Sequence, residues 1–165
     1  MADVRLRPLR ASDAAAIFAA CQDPEIPRWT HVPYPYTRQD ADAFIAHSAH
    51  GDGSLTFAAV GADDALIGVL SLMDLDREPG YAELGYWLAA PARGRGLATQ
   101  AVRLLTAHAH QDLGLERVEI HVHQENTASL RVPERAGYKR LPGRHPSPRT
   151  GITEPVFVRY ASRGR

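Results

Sequence analysis

The sequence predicts one α/β (α+β) domain over residues 1–165, built as a single mixed sheet of six to seven strands flanked by about four helices. Three observations lead there. Runs with period-2 alternation outnumber runs with helical periodicity. Two strand-like runs sit close enough for a hairpin, while others are separated by helices and need crossovers. Neither a repeat nor a linker interrupts the order β-α-α-β-β-β-α-β-α-β.

Val4 to Leu9 alternates apolar and basic residues and reads as an edge strand. Ser12 or Asp13 can cap a helix through Ala14–Cys21, with Ile17 and Phe18 inward. Asp23–Tyr36 holds four prolines, so no regular helix is expected there. Thr37 and Asp40 make a capping-box pattern that opens a helix to about Ala49, ended by Gly51-Asp52-Gly53. Leu55–Val60 and Ala65–Asp74 flank the turn Gly61–Asp64 as a hairpin, and Tyr81–Ala89 is a further strand after Pro79-Gly80.

Arg93–Thr99 opens a long helix to about Leu113, with Leu97, Ala101, Leu104, Leu105 and His108 on its buried face and Gly114 as its stop. Arg117–His123 alternates as a strand. Asn126 caps a helix to about Ala136, and Gly137 ends it. One short strand fits after Gly137, and Ile152–Tyr160 is the last strand, beyond the Pro/Gly/Arg-rich loop Pro142–Gly151. Pro133 removes the N–H that would pair with the Ser129 carbonyl, so a distorted turn is expected at Ser129–Pro133.

Composition narrows the function. Nineteen basic residues balance nineteen acidic ones, so no global positive field favours nucleic acid, and no direct nucleic-acid role is expected. Basic residues do cluster at 93–95 and 139–149, which leaves room for a local anion site. Cys21 is the one cysteine, which rules out an intrachain disulfide and a cysteine-rich zinc site. MADVRLRPLR lacks a signal-peptide core and no run is long enough to span a bilayer, so a soluble, cytoplasmic protein with no membrane role is expected.

The chemistry concentrates in Tyr86–Ala98, where a strand runs through a Gly-rich turn into an amphipathic helix. Glycines let the backbone approach a ligand, and the first-turn N–H groups lack helical partners. Those donors and the helix dipole suit a pyrophosphate, with Arg93 and Arg95 adding charge. The stretch is not an ATP-type phosphate loop or a dinucleotide fingerprint, because neither pattern is completed. A simple connecting turn is the competing reading. His121 and His123 share a strand face, but no acidic or cysteine ligands accompany them, and no metal is expected.

Arg93-x-x-Gly96-x-Ala98 resembles the pyrophosphate motif of the GNAT superfamily of N-acetyltransferases, at the same strand-to-helix junction. Asn126-Thr127-Ala128-Ser129 through Gly137-Tyr138 is similar to that family's later segment. Leu6-Arg7-Pro8-Leu9 with Ser12-Asp13, and Glu83-Leu84-Gly85-Tyr86-Trp87-Leu88, resemble its RimJ/RimL-type ribosomal-protein branch. The likeness covers most of the chain, in order.

The resemblance implies a mostly antiparallel GNAT sheet and transfer of acetyl from acetyl-coenzyme A to a primary amine by direct attack in a ternary complex. It implies that the main chain of Arg93, Gly94, Arg95, Gly96, Leu97, Ala98 and Thr99 binds the pyrophosphate. Leu88, Ala89 and Ala90 would splay from a neighbouring strand and pair with the pantetheine arm, and Asn126 would bond the coenzyme nearby. Glu83 resembles a strand glutamate that serves as base, and the competing reading is a partly exposed strand residue or one that positions the acceptor. The family's tyrosine acid is replaced by Pro133, and Ser129 matches the serine given that task in the ribosomal-protein branch. Trp29, Tyr34 and Tyr36 form an acceptor wall or else pack onto the sheet, while Lys139–Arg149 contacts an acidic acceptor, or ribosomal RNA beside a protein N-terminus, or is simply solvated. The acceptor is a protein N-terminal amine, as of a ribosomal protein, or a small-molecule amine, and the enzyme a monomer or homodimer. A non-catalytic acyl-coenzyme A sensor of the same fold is the alternative, because Pro133 cannot donate a proton.

Overall fold

Alternation along the strands decides which residues meet which layer. The computed structural model describes residues 3–51, 53–147 and 150–162, so Asp52 and the Arg149 end of the basic loop lie outside the described residues, as do Met1 and Ala2. The elements are β1 (Arg5–Pro8), α1 (Ala14–Ala20), α2 (Glu25–Trp29), α3 (Arg38–Ser48), β2 (Leu55–Val60), β3 (Leu66–Asp76), β4 (Tyr81–Leu88), α4 (Leu97–Gln111), β5 (Arg117–His121), α5 (Thr127–Arg135), β6 (Lys139–Arg140), β7 (His145–Pro146), β8 (Thr153–Glu154) and β9 (Val156–Tyr160). A seven-stranded sheet runs β1-β2-β3-β4-β5-β9-β6, antiparallel except for β4–β5, and β7-β8 form a separate pair. The expected mixed, mostly antiparallel sheet is present, with five α-helices among the described residues where about four are expected.

One sheet face buries Leu70, Leu72, Leu84, Val118, Ile120 and Phe157 against α4. The other buries Val69 and Trp87 beneath α1 and α3, with Ile17, Cys21, Ile26 and Ala41. Each such side chain contributes roughly 1.5–3 kcal/mol on leaving water. Helix α3 begins with the expected capping box: Thr37 Oγ1 accepts from Asp40 N, and Thr37 N donates to the Asp40 carboxylate at 2.7 Å.

Two expectations fail locally. The proline-rich stretch does hold a helix, α2, because Pro27 lies in its first turn, where an N–H has no helical partner to lose. On α4, Leu104 is 42% exposed while Val102, Thr106 and Ala109 are buried. Tyr138 bonds Thr106 at 2.6 Å and covers that flank, turning the buried arc away from Leu104. Helix α5 continues through Pro133, and the bonding is disturbed where expected, at Ser129. The Ser129 carbonyl has lost its helical donor, and the Tyr86 hydroxyl stands 3.4 Å from it.

Candidate active site

Strands β4 and β5 pair only over Tyr81–Glu83 and Arg117–Glu119. Beyond Glu83, β4 stays with β3 to Leu88, and beyond Glu119, β5 stays with β9 to His121. A gap therefore opens between the two parallel strands toward their C-terminal ends. Ala89 N donates to Ile67 O at 2.9 Å, so by alternation the main-chain groups of Leu88 and Tyr86 face the gap. Ala89 has thus spent its N–H on β3.

The turn after β4 is held by Arg93. Its guanidinium donates to Leu88 O from Nε at 3.0 Å and Nη2 at 2.8 Å, and to Asp23 Oδ2 from Nη1 at 2.7 Å. The side chain expected to reach phosphate is committed to protein partners. Gly94 and Gly96 adopt φ +72° and +74°, where a side chain is strained, and the space beside each is open. Gly96 is the N-cap of α4 with no side-chain cap, and Gln100 N makes the first turn's bond to Gly96 O at 3.2 Å. The N–H groups of Leu97, Ala98 and Thr99 precede that bond and point out of the helix end. The exposed Arg95 adds positive charge beside them. An uncapped N-terminus of a 15-residue helix, next to a strand gap, fits a long ligand with an anionic middle.

Across the gap, Asn126 Oδ1 caps α5 by accepting from Ser129 N at 3.3 Å. Ser129 Oγ lies 2.5 Å from the Tyr86 hydroxyl. Burial pushes that phenol up to about 12, against the opposing effect of the Ser129 bond.

On the opposite sheet face, parallel register sets Glu83 beside Glu119, both buried. Glu119 accepts from Tyr81 at 3.1 Å, from His121 Nε2 at 3.0 Å and from Arg117. Burial alone would lower the His121 pKa, yet the Glu119 bond and the fields of Glu83 and Glu154 raise it. Trp29 lies at the rim, 5.1 Å from the His123 ring, with its Nε1 on Glu25. The other two aromatics disperse: Tyr34 is on the surface, and Tyr36 is buried with Cys21 in the second core. Of the expected aromatic wall, only Trp29 reaches this region. Tyr138 packs in the core beneath α4 and bonds Thr106.

Residues 3–139 match the acetyltransferase (GNAT) domain family. The chain belongs to that family. This GNAT domain is 30% identical over 131 residues to the uncharacterized N-acetyltransferase p20 of Bacillus licheniformis, covering 77% of this chain and 74% of the relative. YdaF of Bacillus subtilis (strain 168), which carries a ribosomal N-acetyltransferase name, is 42% identical over 76 residues, 46% of this chain and 42% of its own length. The match thus spans less than half of that relative. Spermidine N-acetyltransferase from Vibrio cholerae, solved in complex with CoA and spermine, superposes with a TM-score of 0.82 at 17% identity, over 96% of both chains. That likeness speaks for the fold.

The sequence does not single out Tyr86 or Glu119, nor does it show the bracketing role of Arg93. Glu119 shares a strand face with His121, a visible i, i+2 signal, but its place beside Glu83 needed the parallel register. Nothing in the sequence signalled that Arg93 would bind Leu88 and Asp23.

Proposed function

We propose that this domain transfers an acetyl group from acetyl-coenzyme A to a primary amine, by direct attack with both substrates bound. One observation carries the reading: the β4–β5 gap opens beside the uncapped N-terminus of α4. The main-chain N–H groups of Gly94–Thr99 and the Arg95 side chain would hold the pyrophosphate. The pantetheine arm would lie along the open edge of β4 near Ala90, with the Leu88 N–H as its donor and as a polariser of the thioester carbonyl. Asn126 uses Oδ1 as a cap, which leaves its amide nitrogen to donate to the coenzyme.

An alkylammonium must lose a proton before it attacks. Glu83, buried on the face of β4 away from α4, is the carboxylate that takes or routes it, with Trp29 at the rim on the acceptor side. A ribosomal-type protein N-terminus and a small polyamine both present such an amine, and both kinds of substrate occur in the names of relatives and structural neighbours. The enzyme works without a metal in this scheme.

The test is the melting temperature with and without acetyl-coenzyme A, for wild type and Gly96→Glu. Ligand at roughly a hundredfold excess over Kd should stabilise wild type by about 2.7 kcal/mol. Gly96→Glu places a carboxylate at the helix N-terminus and should abolish the shift. No shift in a folded wild type at millimolar ligand overturns the reading. Thiol release with spermidine and with a Ser-initiated peptide then separates the two acceptor classes, and a shift without turnover on any amine indicates a sensor.

A further inference from the structure

We propose that Tyr86 supplies, through Ser129, the proton that the departing coenzyme thiolate takes up. The inference rests on the acetyltransferase reading and concerns its second half, after the amine nitrogen has bonded the acetyl carbon and the carbon–sulfur bond breaks.

Three observations carry it. Tyr86 lies on β4 and Ser129 in the first turn of α5, so the 2.5 Å hydroxyl pair bridges the two walls of the gap. That separation is at the short end of the range for a hydrogen bond between two hydroxyls. The pair also depends on Pro133. Without the N–H of residue 133, the Ser129 carbonyl has no helical donor, and the Tyr86 hydroxyl stands 3.4 Å from it. The proline that occupies the expected acid position thus leaves open the carbonyl against which a different tyrosine docks.

Chemistry favours the pair over Ser129 alone. A serine that gives up its proton unaided is left as an alkoxide, a far stronger base than a thiolate. With the phenol donating to Ser129 Oγ, one proton moves from Ser129 to sulfur as another moves from Tyr86 to Ser129. The negative charge ends on the phenolate, which takes a proton from solvent. Burial raises the Tyr86 pKa to about 12, which makes the phenol a weaker acid than a free one but still a far stronger acid than the serine hydroxyl it backs. Tyr86 acts through Ser129 and is a positioning and proton-supplying residue, not one that touches the sulfur.

The test uses the full chain with coenzyme A itself. First, the melting shift with coenzyme A is measured in wild type, Tyr86→Phe, Ser129→Ala and the double variant. Its absence in wild type overturns the acetyltransferase reading on which the pair depends. Next, the pKa of the bound thiol is read from the thiolate absorbance of the complex minus that of the protein. A relay donating to sulfur holds that pKa down in wild type, and all three variants should raise it by the same amount. An unchanged thiol pKa in Tyr86→Phe overturns the proposal. On any amine that turns over, each single variant should lose on the order of a hundredfold in kcat and the double no more than either. A raised KM with kcat intact would mark a purely structural tie and also overturn it. Should Tyr86→Phe fail to fold, a fluorotyrosine at position 86 keeps the hydroxyl and lowers its pKa. The relay then requires the bound thiol pKa to fall further, and no change overturns it.

Discussion

Arg93 Nη1 meets Asp23 Oδ2 at 2.7 Å, joining the turn after β4 to the segment after α1 across 70 residues of chain. The same guanidinium holds Leu88 O with two further bonds. A planar fork is required to reach both partners at once, and a lysine cannot do so. The bracket couples the proposed coenzyme turn to the loop that leads to Trp29.

Arg93→Lys should therefore behave more like Arg93→Ala than like wild type. Each should lower stability by about 1–2 kcal/mol, since charged hydrogen bonds are lost at a partly exposed site. Each should also reduce the acetyl-coenzyme A melting shift. Asp23→Asn, which spares the Leu88 bonds, should show the smaller effect. Thermal melts of the three variants check this, and a wild-type-like Arg93→Lys would show that charge, not geometry, holds the turn.

A second bracket is buried. Arg7 makes a bidentate pair with Asp13, Nη1–Oδ2 and Nη2–Oδ1 both at 2.9 Å, with side chains only 13% and 6% exposed. The Arg7 bonds hold the Asp13 carboxyl below its ordinary range, against the opposing effect of burial. A depressed folded pKa means the stabilisation is present above the unfolded value, about 3.9, and is lost as pH falls below it. Arg7→Ala should cost about 3 kcal/mol by leaving a buried carboxylate without its partner. Urea midpoints from pH 6 down to 3 should fall more steeply for wild type than for Asp13→Asn, and parallel limbs would contradict the assignment.

Much of this was legible in the sequence because it depends on local rules. The Thr37/Asp40 cap, the Gly96–Leu97 junction and the Asn126 cap each follow from residues within one turn of each other. What escaped depends on tertiary register. Tyr36 and Trp29 are both aromatic residues of a proline-rich segment, and nothing local says that one enters the core while the other reaches His123, just beyond β5. Helix rules show that Pro133 orphans the Ser129 carbonyl, but not that the Tyr86 hydroxyl stands beside it. Strand pairing likewise decides that Glu83 faces Glu119.

That pairing makes His121 a test of the acidic face. Its raised pKa, held up by Glu119 against burial, predicts an imidazolium persisting above the ordinary value of about 6.5. A raised folded pKa contributes stability below the unfolded value and loses it as pH climbs through the folded one. Proton NMR of His121 should show the elevated titration, and Glu119→Gln should bring it down. A titration at or below the ordinary value in wild type would mean that burial, not Glu119, governs the ring.

Gly68 tests whether the end of β4 must lie where it does. A Cβ at Gly68 would stand 2.4 Å from Trp87 O and 2.5 Å from Leu88 Cδ2, and the first of these is backbone that cannot rotate away. Gly96 is the contrasting case: its φ of +74° disfavours a side chain, but no heavy atom lies within 4 Å of one. Gly68→Ala should therefore cost about 3 kcal/mol through overpacking, and Gly96→Ala only about 1 kcal/mol through backbone strain. Because the clash pushes Leu88 outward, Gly68→Ala should also shrink the acetyl-coenzyme A melting shift although residue 68 lies on β3, away from the gap. Denaturant melts with and without ligand measure both effects. The reverse order of stability would mean that β4 yields freely at Leu88, and the gap would then not be a preformed slot.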